Sequence, residues 1–281
     1  MAQKSLNVLI NGTSTKDDLA VVLDGVLENI QVSAVSEAIK NKNGSGSPQS
    51  GAVEYKRLAN ATLADKGTAR QAGKGSQLKA ETISVLIDTD KEIVEEVTTK
   101  DLKLYGVAGM AQKRADNQSK RIAAFLDKTF FDVAVKAGTK FTRGSLTDPK
   151  EIVDTMIVQA KNTSSDFIDG IDAEDLVLVL DGSYRKALKN DLDSLPNGTR
   201  PENGRIGVYD SVEVFESNRL PENVHAIVMI RGAVAQPYFV SEYDFEKIPL
   251  DDNYAIENFL YCGTKALMKE TIIYDKTTAS V

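Results

Sequence analysis

Apolar residues between Asp17 and Lys42 recur at three- and four-residue steps: Leu19, Val22, Leu23, Val26, Ile30, Ala34 and Ala38. That spacing predicts an amphipathic helix, opened by Asp17 and Asp18. The pattern stops at NKNGSGSPQSG, where Gly, Ser and Pro leave no periodicity and predict a mobile linker, with a boundary at about residue 50. Two runs of strand character follow. VEYKRLANATL, from Val53 to Leu63, has no internal Pro or Gly, and ETISVLIDTDKEIVEEVTT alternates from Thr82 to Ile87. Between them lies GTARQAGKGS, Gly67 to Ser76. A long hairpin, a two-stranded arm with a glycine-rich tip, is the economical reading. Such a ribbon is marginal in water unless it lies against something else.

From Leu104 to Lys136 the period returns to that of a helix, through Leu104, Ala108, Ala111, Ala115, Ile122, Phe125, Leu126, Phe130 and Val133. At about 1.5 Å per residue this helix is about 48 Å long. Its apolar stripe is thin in the first half and heavy in the second, and Lys113, Arg114, Lys120 and Arg121 recur on another face. Asp148-Pro149 opens a further helix, PKEIVDTMIVQAKN, as N-cap and first helical residue. DLVLVLD then reads as a strand buried on both faces. A short helix, SYRKALKND, leads into the loop DSLPNGTRPENG, and RIGVYDSVEVFES and HAIVMIRGAVAQPYFV are rich in strand. The tail holds strand-like segments from Ala255 to Tyr261 and from Ala266 to Tyr274. No tandem repeat is present, and the fold class is α+β.

Composition narrows the function more than the fold. A chain of 281 residues carries a prior of roughly two domains and is long enough to bury most of its surface without covalent staples. With 34 Lys+Arg against 41 Asp+Glu the formal charge is −7, so any attraction to nucleic acid must be local. Cys262 is the single cysteine; it excludes an intrachain disulfide and points to a reducing compartment. The N-terminus lacks the length and cleavage pattern of a signal peptide, and no apolar run is long enough to span a membrane.

Chemical motifs are weak. GTARQAGKGS has the density of a phosphate loop but the wrong spacing: five residues separate Gly67 from Gly73, Gly75 follows Lys74, and strand character resumes at Leu78. His225, the sole histidine, sits in an alternating strand with neither nucleophile nor orienting partner in sight, so it reads as structural. One His and one Cys leave no soft-ligand metal site. Carboxylates gather at Asp88, Asp90, Glu92, Glu95 and Glu96, and again at Asp169, Asp172, Glu174 and Asp175; the second group lacks the order of a calcium loop. No catalytic constellation, cofactor or metal is expected. The basic positions Lys113, Arg114, Lys120 and Arg121 are either the wet face of a helix or a row of phosphate contacts.

The order of these parts resembles a family. GRIGVYDSVEVFESNRLP (Gly204 to Pro221) and VHAIVMIRGAVAQP (Val224 to Pro237) are similar to the closing strands of tailed-bacteriophage major capsid proteins, which have the Hong Kong ninety-seven fold. The resemblance covers residues 20 to 275; at Asp210-Ser211 this chain departs from the glycine common before the next strand. It implies an N-terminal arm (1–50), an extended β-hairpin E-loop (51–100), a peripheral domain with a spine helix (101–165), an axial domain (166–240) and return strands (241–281). It implies a non-enzymatic subunit that assembles as homo-hexamers and pentamers into an icosahedral virion shell around double-stranded DNA in the host cytoplasm. A separate scaffolding protein and a portal are the implied partners, and no membrane is. Within it, Lys66, Arg70, Lys74 and Lys79 form a basic E-loop tip lying on a neighbour, with Glu92, Glu95, Glu96 and Asp101 as candidate acceptors. Lys113, Arg114, Lys120 and Arg121 become a DNA-facing side of the spine helix. Two alternatives stay open: an encapsulin-like nanocompartment shell, and a soluble nucleotide-binding enzyme using Gly67 to Ser76.

Overall fold

The computed structural model describes residues 23–24, 26–61, 65, 79–194, 204–241, 244–251 and 253–277. Its axis is one helix, α3 (Thr99–Ala137), 39 residues and hence about 58 Å long. Short helices α1 (26–33) and α2 (Val35–Ile39) precede it, and α4 (Pro149–Lys161) and α5 (Gly182–Leu188) follow. The strands are β1 (Ala52–Leu58), β2 (Ala80–Leu86), β3 (Thr89–Val97), β4 (Thr139–Lys140), β5 (Leu176–Leu180), β6 (Arg205–Tyr209), β7 (Val212–Glu216), β8 (Val224–Ile230), β9 (Tyr238–Val240), β10 (Asp244–Lys247), β11 (Tyr254–Cys262) and β12 (Ile273–Lys276).

A seven-stranded mixed sheet runs β4-β12-β8-β5-β7-β6 and ends in Asp193–Ser194. Its central strand β5 is the LVLVL run, every residue of which is buried. The alternation divides it between two cores. Leu176, Leu178 and Leu180 meet Ile152, Val153, Met156 and Ile157 of α4, whereas Val177 and Val179 meet Phe130, Phe131 and Ala134 of α3. Helices on both faces are why that strand shows no polar position. α4 begins where the sequence predicts: the Asp148 side chain accepts from the Lys150 amide at 3.2 Å and Pro149 leads the first turn.

A four-stranded sheet is built around β11, with β3 along one edge and β9 and β10 along the other. Its buried side, Val97, Tyr254, Ile256, Leu260 and Cys262, packs on Ile122 and Leu126 of α3 and on Val26 and Ile30 of α1. The middle of α3 thus carries one sheet and its C-terminal end the other. Burial holds the Cys262 thiol un-ionised, its pKa pushed up to about 11, as expected of an inert core cysteine.

Four expectations need amendment. The long helix begins at Thr99, earlier than the apolar spacing alone indicates. The helix expected through Lys42 is broken at Ala34, whose backbone is extended (φ −91°, ψ 124°). The break has a cause: the fully buried carboxylate of Asp127, on α3, accepts from the backbone N–H of Val35 (3.2 Å) and Ser36 (2.8 Å) and pairs with Arg219 at 2.6 Å. The carboxylate caps α2 from another helix, taking two of the N–H groups that a continuous helix would satisfy internally. Nor is NKNGSGSPQSG a mobile linker. Ser45 and Glu54 exchange both backbone hydrogen bonds, Ser47 caps a short turn at Pro48–Ser50, and Gly46 and Gly51 take φ of +109° and +84°. Glycine and serine serve here as tight-turn residues against the hairpin root. Finally, the run ETISVLIDTDKEIVEEVTT divides: β2 pairs with β1, and β3 leaves to join β11.

Asp210-Ser211 joins β6 to β7 with both residues left-handed (φ 48° and 64°), so the turn forms without glycine and Asp210 is held by Lys161 at 2.8 Å. Replacing Asp127 tests the trans-cap. Asp127→Ala leaves two buried N–H groups without that acceptor and Arg219 without its partner, and should cost about 3 kcal/mol. Urea unfolding should record a lower midpoint at unchanged slope; a loss under about 0.5 kcal/mol would remove Asp127 from the account.

Candidate assembly interface

β1 and β2 pair antiparallel from Ala52–Leu86 to Leu58–Ala80, and the ladder extends by Ala59 N–H to Lys79 O at 2.9 Å. Lys79 is exposed beside the start of β2; Lys66, Arg70 and Lys74 lie outside the described residues, as does the rest of Gly67 to Ser76. Val53, Tyr55 and Val85 on one face of the ribbon are buried against Ala235 and Leu267, so the arm does lie against something: its own chain.

The acidic residues separate by face. β3 pairs with β11 along all nine residues, Thr89 opposite Cys262 and Val97 opposite Tyr254. Directly opposed residues share a face and alternate residues oppose it. Glu95 therefore turns toward α3, where it accepts from Arg114 Nε at 2.8 Å and from Gln118 at 3.0 Å. Hydrogen bonding from Arg114 is the main reason its pKa falls below the ordinary carboxylate value, against a smaller effect of burial. Two predicted site residues of opposite sign, Arg114 and Glu95, thus meet within one chain. Glu92 and Glu96 point the other way, and Asp101 lies in the first turn of α3.

The outward face of this sheet is an assembly of residues that the sequence reading did not gather. Phe239, Phe259 and Tyr261 cluster there, with Phe239 and Tyr261 stacked at 4.6 Å and 14° and Phe259 6.4 Å from Tyr261. Around them on the same face stand Asp90, Glu92, Glu96, Glu246 and Glu257, with Val94 54% exposed. Lys91 and Lys247 fall on the opposite register, so the described outward positions of these strands carry carboxylates and no cation. The signal was present in YAIENFLYC, where every second residue is buried and the aromatics Phe259 and Tyr261 occupy the intervening positions.

On α3, Lys120 and Arg121 are exposed, and Lys113, next to Arg114, lies about two turns earlier in the same helix. Where the N-terminal segment, the arm root and the sheet meet, a groove of about 640 Å³ is lined by Leu27, Lys40, Tyr55, Tyr238 and Val240 among others. Lys40 is held there by Glu37 and by Gln236 O (3.2 Å) and stands 4.5 Å from the Tyr238 ring; burial lowers its pKa.

His225 has the partners that sequence could not supply. Its Nδ1 is 2.7 Å from Asp181 Oδ2, its Nε2 is 2.7 Å from Thr277 Oγ1, and its ring stacks on Tyr184 at 5.2 Å. Asp181 also caps α5 through the Tyr184 amide at 2.8 Å. Burial works to raise the Asp181 pKa, but the hydrogen bonds from Tyr184 N–H, His225 and Ser183 outweigh it and leave the value lowered. Tyr184 O–H donates to the buried Asp275 (2.8 Å), which Arg143 grips through two bonds of 2.6 Å. The cluster fastens the last described strand to α5 and to the segment after β4, and every member already has a structural partner.

Comparison with protein-family models and with curated proteins finds no match. Solved structures do match. One titled for Mycobacterium phage Che8 superposes with TM-score 0.60 at 17% identity, covering 86% of this chain and 90% of that one. The capsid of Ralstonia phage GP4 gives 0.59 at 14%, covering 86% and 87%. A virus-like particle from Pyrococcus furiosus gives 0.52 at 10%, covering 92% and 98%. The chain therefore has the Hong Kong ninety-seven-like fold of tailed-phage major capsid structures, as the order of its elements led one to expect.

The Glu95–Arg114 contact yields a pH prediction. Its contribution is full above the ordinary Glu pKa of 4.5 and is lost as pH falls through the lowered folded value. Glu95→Gln should cost about 1 kcal/mol or less at pH 7, given the exposure of Arg114, and less at pH 2. Thermal melts of both proteins at the two pH values check this; an equal loss at both would show that charge is not the cause.

Proposed function

We propose that this chain is the major capsid protein of a tailed bacteriophage, closing through hexamers and pentamers into an icosahedral virion shell that packages double-stranded DNA. The observation that carries the reading is coverage: the capsid fold accounts for 86% of this chain and 87% of the Ralstonia phage capsid chain. In this reading residues 1–50 are the N-terminal arm, 51–100 the E-loop, 101–165 the peripheral domain, 166–240 the axial domain and 241–281 the return strands. A separate scaffolding protein guides assembly in the host cytoplasm and a portal occupies one vertex.

The basic tip, Lys66, Arg70, Lys74 and Lys79, lies on the acidic outward face of a neighbouring copy, with Glu92, Glu96 and, in the first turn of α3, Asp101 as the acceptors. Arg114 and Glu95 are spent on each other, so they drop out of the inter-copy set. Each exposed pair is worth about 0–1 kcal/mol, and closed symmetry repeats it many times over. A net charge of −7 suits a container that must not adhere to its contents everywhere, with Lys113, Lys120 and Arg121 as local, salt-sensitive phosphate contacts.

Electron microscopy with light scattering, on the protein expressed alone and with its scaffolding partner, tests the proposal. Closed particles tens of nanometres across, or hexamer and pentamer rings, are expected; a monodisperse monomer or dimer under all conditions contradicts it. Nuclease-protected DNA inside distinguishes a virion shell from a nanocompartment with protein cargo. Arg70→Glu with Lys74→Glu should reduce particle yield, and Glu92→Lys with Glu96→Lys in the same chain should restore part of it. Unchanged yield in the first variant would dispose of the tip contact.

A further inference from the structure

A two-stranded ribbon fixed only at its root has a position but no direction, because such ribbons twist and bend readily. Here the root is the buried cluster of Val53, Tyr55 and Val85 on Ala235 and Leu267. Tight turns and close packing hold that root: Gly46 and Gly51 adopt φ values that side chains resist, and at Gly263 a Cβ would stand 1.9 Å from Leu86 O. A second fixed point is supplied further out by Arg57. Its guanidinium donates to Leu267 O at 3.0 Å, pairs with Glu270, and sits 4.3 Å from the centre of the Phe167 ring. Its side chain is 10% exposed. Past Arg57, Asn60 N–H donates to Asp166 O at 3.2 Å.

These contacts come from two separated segments, the turn after α4 and the turn before β12, so Arg57 bridges the arm to both. Two residues beyond Tyr55, the outermost root residue on β1, it acts about 7 Å further along the ribbon, and two separated points define an angle. We infer that Arg57 is the strut that sets the angle at which the arm leaves its own chain, and hence which part of a neighbouring copy the arm meets. The planar guanidinium suits this task, since one side chain gives a carbonyl bond, a carboxylate pair and a ring contact at once; a lysine offers a single point charge. In a closed shell an angular error repeats at every copy and changes curvature.

The consequence for particles rests on the capsid reading; the consequence for the free subunit does not. In unassembled Arg57→Ala, amide hydrogen exchange should quicken at least about tenfold in Ala52–Leu58 and Ala80–Leu86 and stay unchanged in Leu176–Leu180. Glu270→Gln should give the same pattern more weakly and serves if Arg57→Ala fails to fold. In particles, Arg57→Ala should broaden the diameter distribution or leave shells open, with Arg57→Lys intermediate. Unchanged exchange in the ribbon, equal acceleration in Leu176–Leu180, or faster ribbon exchange with particles of wild-type diameter would each overturn the strut. If the wild-type chain forms no particles at all, the capsid reading fails, and the exchange experiment still decides whether Arg57 fixes the arm.

Discussion

A carboxylate with no exposed surface lies in the heavy half of the long helix, and much of the molecule is arranged around satisfying it. Asp127 takes the backbone N–H groups of Val35 and Ser36 and the guanidinium of Arg219, which lies in the segment between β7 and β8. A buried charge left unpaired is far more costly than an exposed one, so these three segments have little choice of arrangement. The direction of the N-terminal helices, the break at Ala34 and the approach of the β7–β8 connection to the spine all follow from it. Placed between Leu126, which packs under the four-stranded sheet, and Phe130, which packs under the seven-stranded one, Asp127 stands where the two cores adjoin.

That arrangement divides the chain into a body and parts that a solitary body does not explain. The body has apolar cores on both faces of its central strand, and a polar cluster from Arg143 to His225 fastens its last strand. The parts left over are a ribbon fastened along its root to its own chain and an outward sheet face of stacked aromatics among carboxylates. Apolar rings among same-sign charges on open sheet form a surface suited to a partner with the opposite charge. The arm is basic toward its tip by sequence, which is the complement that the proposed contact between copies requires. Under the proposed function, the capsid-like fold gives that complementarity a setting, because a shell subunit must offer its neighbours what it accepts from them.

What the sequence disclosed and what it withheld follow a physical line. Local signals were legible: the Asp148-Pro149 cap, the doubly buried LVLVL strand, and the long helix, whose period survives two glycines in its thin half. The order of elements was enough to suggest the fold. Register was not legible, because it belongs to the partner strand. Glu92, Glu95 and Glu96 look like one acidic run until β11 places Glu95 on the helix side and the other two outside. Turn chemistry misled at residues 43–51, where the same Gly, Ser and Pro that suit a mobile linker instead build tight turns against the arm root. Asp127 could have been noticed as a charge within the stripe of Leu126, Phe130 and Phe131, but its partners lie about ninety residues away on either side and no local pattern names them.

The most direct test is an electron cryomicroscopy map of assembled particles at side-chain resolution. The account predicts that the sheet face bearing Phe239, Phe259 and Tyr261 is covered by residues 62–79 of a neighbouring copy, with basic side chains at Glu92 and Glu96. It also predicts that Asp127 still caps Val35–Ile39 in every copy. A map in which that face lies bare to solvent, or in which residues 62–79 lie on their own chain throughout the shell, would contradict it.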